Sequence, residues 1–333
     1  MSASYVYGQT NYFKHRSLTR GKDFLFPVFY RDSNLVTTGK INQLLQLSEL
    51  ALLNGYQTND IFELISTDDG TIYGGKTEIS YEILSNTPKL VSIKFNQTSC
   101  GATCAYWVRY YNFNSGNGDL MQLKDLFTNE GFNRFTQKLI SKRAAKFKAE
   151  VLKVEKAQRK DLLNVTPCFE NDDLHDYYIR GTSIFVDGEN CLTKNEKFFG
   201  LDMATKINLS EFKNDLNKYG KAIFGITAEK VLKYRSNELP QLFEGTIGSS
   251  LKILLVLNRN YENKMRGVYA YLKHGTGIYL EGELNIQQLF LTEKIKNYRP
   301  PGYISAVFDG KNIQGTWTDS SQTKKMKLVA KRR

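Results

Sequence analysis

The chain has four cysteines and three histidines, the residue types that most often bind metals or act as nucleophile and base. Cys100 and Cys104 bracket the tripeptide Gly-Ala-Thr. A zinc site accepts about two to four residues between paired cysteines, so this pair alone would fit one. Cys168 and Cys191 lie 23 positions apart, and neither flanks a second Cys or His at ligand spacing. A four-cysteine zinc site is therefore not expected. A thiol nucleophile needs a base within reach. The imidazoles are His15, His175 and His274, and only His175 follows a thiol closely, in "CFENDDLHDYY". Nothing in that loop orients it.

An even cysteine count with one short and one long pair fits two disulfides. Among the connectivities that four cysteines allow, the pairs Cys100–Cys104 and Cys168–Cys191 are favoured. The first staples a tight loop with a small centre. The second closes a longer loop and contributes about 3 kcal/mol on the chain-entropy account. No metal and no cofactor is expected. The GxSxG, GxGxxG and HExxH patterns do not occur in the sequence. The carboxylates Asp172/Asp173 and Glu281/Glu283 read as solvation and not as an acid/base pair. "NSGNGD", Asn114 to Asp119, has too few acids for an EF-hand loop and reads as a β-turn.

Recognition is the chemistry left. Directly after the short cysteine pair come Tyr106, Trp107, Arg109, Tyr110 and Tyr111, the types that dominate interface hot spots. On a strand, Trp107, Arg109 and Tyr111 share one face, and Tyr106, Val108 and Tyr110 take the other. One set is expected in the core and the other on a binding surface. A second candidate surface is the outside of a C-terminal barrel, with Tyr269, Tyr271 and Tyr279.

Three stretches must position these residues. Residues 1–22 are polar and expected to be loose. Residues 23–238 read as an α+β region. "FLFPVFY" is strand-like, and Ile41, Leu44, Leu45 and Leu52 recur at helical spacing in a stripe widened by Leu47, Leu50 and Leu53. "TEISYEIL" and "KLVSIKFNQ" alternate as strands do. Phe132 to Leu163 has the clearest helical stripe, through Phe135, Leu139, Phe147, Val151, Val154 and Leu162, with Lys138, Lys142, Lys146, Lys153 and Arg159 on much of the remainder. Ser210 is expected to cap a helix ending near Gly220. Residues 239–333 break into eight short segments separated mostly by glycine or polar residues. That rhythm predicts an all-β antiparallel meander closing into a small eight-stranded barrel with a filled interior.

Net charge is +12, and the excess is concentrated towards the C-terminal "KKMKLVAKRR". A basic balance favours acidic partners. Nucleic acid is not expected, because the aromatics of the long basic helix lie on its apolar stripe and offer no stacking platform. The longest strongly apolar run, Ile253 to Leu257, is strand length, so no transmembrane segment is predicted. The N-terminus lacks an apolar signal core. With disulfides favoured, a mature exported chain is the better reading.

"VSIKFNQTSCGATCAYWVRYYNFNSGNGDLMQLKDLF" also resembles the core of an uncharacterised family of bacterial envelope domains. The shared order is a strand, a Gly-Ala loop, an aromatic strand ending in "NF", a turn, "LxLKDLF", and a helix. Upstream "FPVF" and "KINQLLQ", and downstream "YYIRGTSIFV" and "INLSEFKNDL", extend the likeness over roughly residues 23–225. Cysteines bracket the Gly-Ala loop here, where many members carry a histidine. Members occur beside peptidoglycan deacetylase domains and in anti-sigma factors that recognise lysozyme. The resemblance thus implies a periplasmic or otherwise extracytoplasmic role without catalysis, as an inhibitor, immunity or sensing protein. Its partner would be a secreted or wall-directed enzyme. The residues themselves offer two alternatives, peptidoglycan or another glycan on the exposed aromatics, or an apolar ligand carried in the barrel.

Overall fold

A computed structural model describes residues 12–53, 62, 75–163, 174, 176–188, 192, 199–236, 238–259, 264–294 and 301–333. It has an α+β N-terminal region followed by a closed antiparallel barrel. Cys168, Cys191 and His175 lie outside the described residues.

The N-terminal sheet has the order β1-β2-β3-β4-β5, from Lys14–Arg20, Phe24–Tyr30, Glu78–Asn86, Leu90–Cys100 and Cys104–Asn114. Its ladders are antiparallel except where β2 meets β3 at Phe24 and Ile79. The segment expected to be loose therefore contributes β1, an edge strand paired with β2 from Lys14 to Arg20. Its sequence, KHRSLTR, carries little apolar signal because the strand is largely exposed. The burial belongs to its neighbour, where Phe24, Phe26 and Phe29 enter the core.

Helix α1 (Leu35–Leu50) packs against β2 on one side. On its other side it meets the outer face of the barrel. The resulting core joins Ile41, Leu44, Leu45 and Leu47 to Phe26 and Phe95 of the sheet and to Leu254, Val256, Val268 and Ala270 of the barrel. This two-sided burial explains why the leucine stripe is too wide for one face. Ala51 ends the helix in the left-handed region, φ 48°. Leu52 then bridges to Thr276, beyond the helix.

The basic helix is α2 (Asn129–Val151), capped by Thr128, whose hydroxyl accepts from Gly131 N at 3.0 Å. Phe135, Leu139, Phe147 and Val151 are buried as the periodicity predicts. The expected single helix to Leu163 is in fact two, because α3 (Arg159–Leu163) starts separately. The Arg159 guanidinium donates to the carbonyls of Leu152 (2.7 Å) and Val154 (2.8 Å), satisfying acceptors that the break leaves open. The basic face is tied down within the chain. Lys142 pairs with Glu211 at 2.5 Å and Lys146 with Asp202 at 2.7 Å.

Strands β6 (Tyr177–Arg180), β7 (Ser183–Val186) and β8 (Thr205–Asn208) form a small antiparallel sheet. Two short helices follow, α4 (Leu209–Phe212) and α5 (Lys218–Ile223). The cap is Asn208, in a reciprocal box with Glu211, and not Ser210. Gly220 lies inside α5, where a Cβ would stand 2.1 Å from the Leu126 carbonyl oxygen.

The barrel runs β9 (Gln241–Ile247), β10 (Leu251–Arg259), β11 (Lys264–Tyr271), β12 (Gly277–Asn285), β13 (Gln288–Lys294), β14 (Tyr303–Phe308), β15 (Asn312–Thr318) and β16 (Lys325–Arg332). Each strand pairs with the next, and β16 pairs with β9, so no edge is left open. Side chains pack the interior, among them Phe243, Leu255, Tyr269, Leu280, Leu291 and Ile313. At Gly282 a Cβ would stand 1.8 Å from the Phe290 carbonyl oxygen, so the close approach of β13 there requires glycine.

Candidate functional site

The aromatic stretch forms β5, paired with β4 from Cys100↔Cys104 to Leu90↔Asn114. The Cys100–Cys104 disulfide joins the last pair of this hairpin, and Gly101, Ala102 and Thr103 form an exposed tip.

The faces of β5 alternate as expected, and each is anchored by a carboxylate. On one face, Trp107 donates from its indole N–H to Gln97 Oε1 at 3.1 Å. Gln97 Nε2 donates to Glu49 Oε2 at 2.8 Å. Arg109 reaches Glu49 Oε1 at 3.4 Å, and the Tyr111 hydroxyl donates to the same oxygen. On the other face, Tyr110 stacks on Tyr178 with centroids 5.4 Å apart and donates to Asp187 Oδ2 at 2.6 Å. Tyr106 stands 61% exposed.

Glu49 is fully buried near the end of α1. Lys76 Nζ pairs with its Oε2 at 3.1 Å and donates to its backbone carbonyl at 2.5 Å. Burial alone would raise the Glu49 carboxyl. Lys76 and then Arg109 more than offset that, and the group stays below the ordinary glutamate range. Burial, then the charge of Glu49, pushes the Tyr111 phenol well above its usual value, so it remains a donor. A doubly neutralised, dehydrated carboxylate is poorly placed to accept a proton from a substrate. Its effect is to fix Trp107 and Arg109.

These residues form one wall of a cleft of roughly 1640 Å³ between the sheet and the barrel. Trp107, Arg109 and Tyr110 line it from β5; Arg259, Arg266 and Tyr279 line it from the barrel. Glu281 is shared by Arg266 at 3.9 Å and Lys294 at 3.4 Å, and with Arg259 and Asp309 the barrel wall carries three cations and two carboxylates.

Not every expected binding residue lies at this surface. Tyr111 touches the cleft but is only 6% exposed and belongs to the buried cluster. Tyr269 and Tyr271 are in the barrel interior, and Tyr279 alone of the three packs on the outside, at the edge of the core shared with α1. The alternation along β11 is as expected but the faces are exchanged. Val268 and Ala270 are apolar because α1 covers them, so the outer face imitates a barrel core.

Motif spacing and periodicity do not reveal the buried carboxylates. Inside the barrel, Glu293 accepts from the Tyr269 hydroxyl, from Trp317 Nε1 at 2.7 Å and from Gly302 N at 3.0 Å. Asp119, in the segment read as a turn, is buried and faces Lys40, Arg332 at 3.1 Å and Arg235 at 3.4 Å. Its charge is thus neutralised from within the chain. Among the described residues no group of three or more His, Cys, Asp or Glu could hold a metal ion. No helix among them is long and apolar enough to cross a membrane.

Fold and cleft define an α+β protein joined to an eight-stranded antiparallel barrel, with an aromatic groove of mixed charge between them. No family model matches the chain, and no curated protein does. Among solved structures it is similar to the crystal structure of a member of the DUF3298 family from Bacteroides fragilis, at 12% identity and a TM-score of 0.41, over 66% of this chain and all of that one.

Proposed function

We propose that the chain is an extracytoplasmic binding protein without catalytic activity, and that its cleft takes a secreted or wall-directed enzyme in the manner of an inhibitor, immunity or sensing protein. The observation that carries this reading is the anchoring of Trp107 and Arg109. Both stand on a cleft wall, and both are held from behind through Glu49, directly or by way of Gln97. Anchored aromatic and Arg side chains lose little freedom on binding, which is the character of interface hot spots. The hairpin disulfide supports an oxidising compartment. The envelope-domain resemblance of residues 23–225 supports the kind of partner.

The test is direct binding to a panel of purified secreted wall hydrolases, lysozyme among them, alongside purified peptidoglycan sacculi. A saturable 1:1 complex with a hydrolase, and no retention on sacculi, is expected. Retention on sacculi alone would instead favour the glycan reading, for which the open cleft and Trp107 offer a stacking surface.

A further inference from the structure

Among the described residues, no strand pairs with the edge of β5 where it borders the cleft. The carbonyl of Asn112 accepts from Met121 N at 2.7 Å, and Asn114 N donates to the Asp119 carbonyl at 2.9 Å, so both aim away from β4. Alternation turns the backbone groups of every second residue the same way. Tyr110, Val108 and Tyr106 therefore present N–H and C=O to that side as well. Residues 119–121 cover only the far end of the edge, and no described residue bonds to the backbone of these three there. The consecutive run from Trp107 to Asn112 lines the cleft. A strand met face-on would contribute alternate residues only, so the cleft runs along the edge itself. The opposite edge strand, β1, is different. It carries Lys14, Arg16 and Arg20 along its length, a charged protection against strand addition.

We infer that β5 receives an extended acidic segment of a partner protein as a sixth strand, bonded to the backbone of Tyr106, Val108 and Tyr110. The inference rests on the cleft being the partner site, and it adds the partner's chemistry. A free edge recognises peptide backbone and not sugar. The charge of the occupant follows from the balance on the walls, where six cations outnumber four carboxylates. Glu49 holds Arg109 from behind, Arg266 and Lys294 share Glu281, and Arg259 has no ion-pair partner among the described residues.

The experiment uses a synthetic peptide of alternating glutamate and threonine, its lysine–threonine counterpart, and the acidic peptide N-methylated at alternate residues. Binding is read by affinity and by amide hydrogen exchange of the full chain. The acidic peptide is expected to bind and to slow exchange at Tyr106, Val108 and Tyr110, and the basic one is not. N-methylation lowers affinity roughly tenfold or more. Val108→Pro does the same, because it removes a donor that already points into the cleft and spares the ladder to β4. The methylated peptide keeps the test valid should that variant fold poorly. Equal binding of the methylated peptide would overturn strand addition and leave the cleft reading standing. So would absence of acidic-peptide binding in a protein that still binds a hydrolase through Trp107. Loss of both kinds of binding would remove both readings. A concentration-dependent dimer abolished by Val108→Pro would show that a second copy of this chain takes the edge, and would overturn the acidic partner segment.

Discussion

Lys40 and Arg333 are 293 positions apart, yet the Lys40 ammonium donates to the Arg333 carbonyl at 2.7 Å. The same ammonium pairs with Asp119, which also holds Arg332. One buried carboxylate thus ties helix α1 to the final barrel strand.

Replacing Asp119 by Asn leaves Lys40 and Arg332 facing each other without a counter-charge. Burial already lowers the Lys40 pKa, only partly offset by Asp119, so the loss falls on a strained site. Asp119→Asn is expected to cost about 3–5 kcal/mol in urea unfolding. A double-mutant cycle with Arg332→Met should return a coupling of about 1 kcal/mol or more. Additive effects would show that the two units do not communicate through this pair.

Glu49→Gln should be similarly costly, since Lys76 and Arg109 would lose their shared anion. The pH dependence has a definite sign. The folded-state pKa of Glu49 lies below its unfolded value. Its contribution is therefore complete above the ordinary glutamate pKa of about 4.3 and is lost as pH falls through the lower folded value. Urea midpoints measured on the acid side should fall less steeply with pH in Glu49→Gln than in the wild type. Parallel curves would show that Glu49 is not held below the ordinary range.

Cys100→Ser with Cys104→Ser opens a very short loop, so the expected loss is at most about 2 kcal/mol. Thiol titration of the wild type, denatured without reductant, is expected to find no free thiol, as pairing of Cys168 with Cys191 requires. Two reactive thiols would remove that second bridge.

Tyr269→Phe takes a hydrogen bond from the buried Glu293 carboxylate, and thermal unfolding should register about 1.5–3 kcal/mol. Were Tyr269 an outer-face binding residue, stability would hardly change and partner affinity would fall instead.

Periodicity revealed what periodicity controls. The eight barrel strands, the buried side of α2 and the two faces of β5 all follow from alternation or a helical stripe. Two things escaped it. Alternation says which residues share a face but not which face is inside, and α1 covering Val268 and Ala270 exchanged the two along β11. Periodicity also carries no signal for lone charges in apolar surroundings. Lys40 and Glu49 both lie in α1, a helix buried on two sides, and its over-wide leucine stripe was the available signal that such charges must find partners inside. Those partners, Asp119, Arg332, Lys76 and Arg109, are remote in sequence, so only the fold could reveal them.

The most direct test of the cleft is the affinity of Trp107→Ala and Arg109→Glu for a bound wall hydrolase, with circular dichroism confirming each fold. Both are expected to weaken binding by roughly thirtyfold or more, the loss that a hot spot of about 2 kcal/mol gives. Unchanged affinity in both variants would contradict the assignment of this cleft as the binding site.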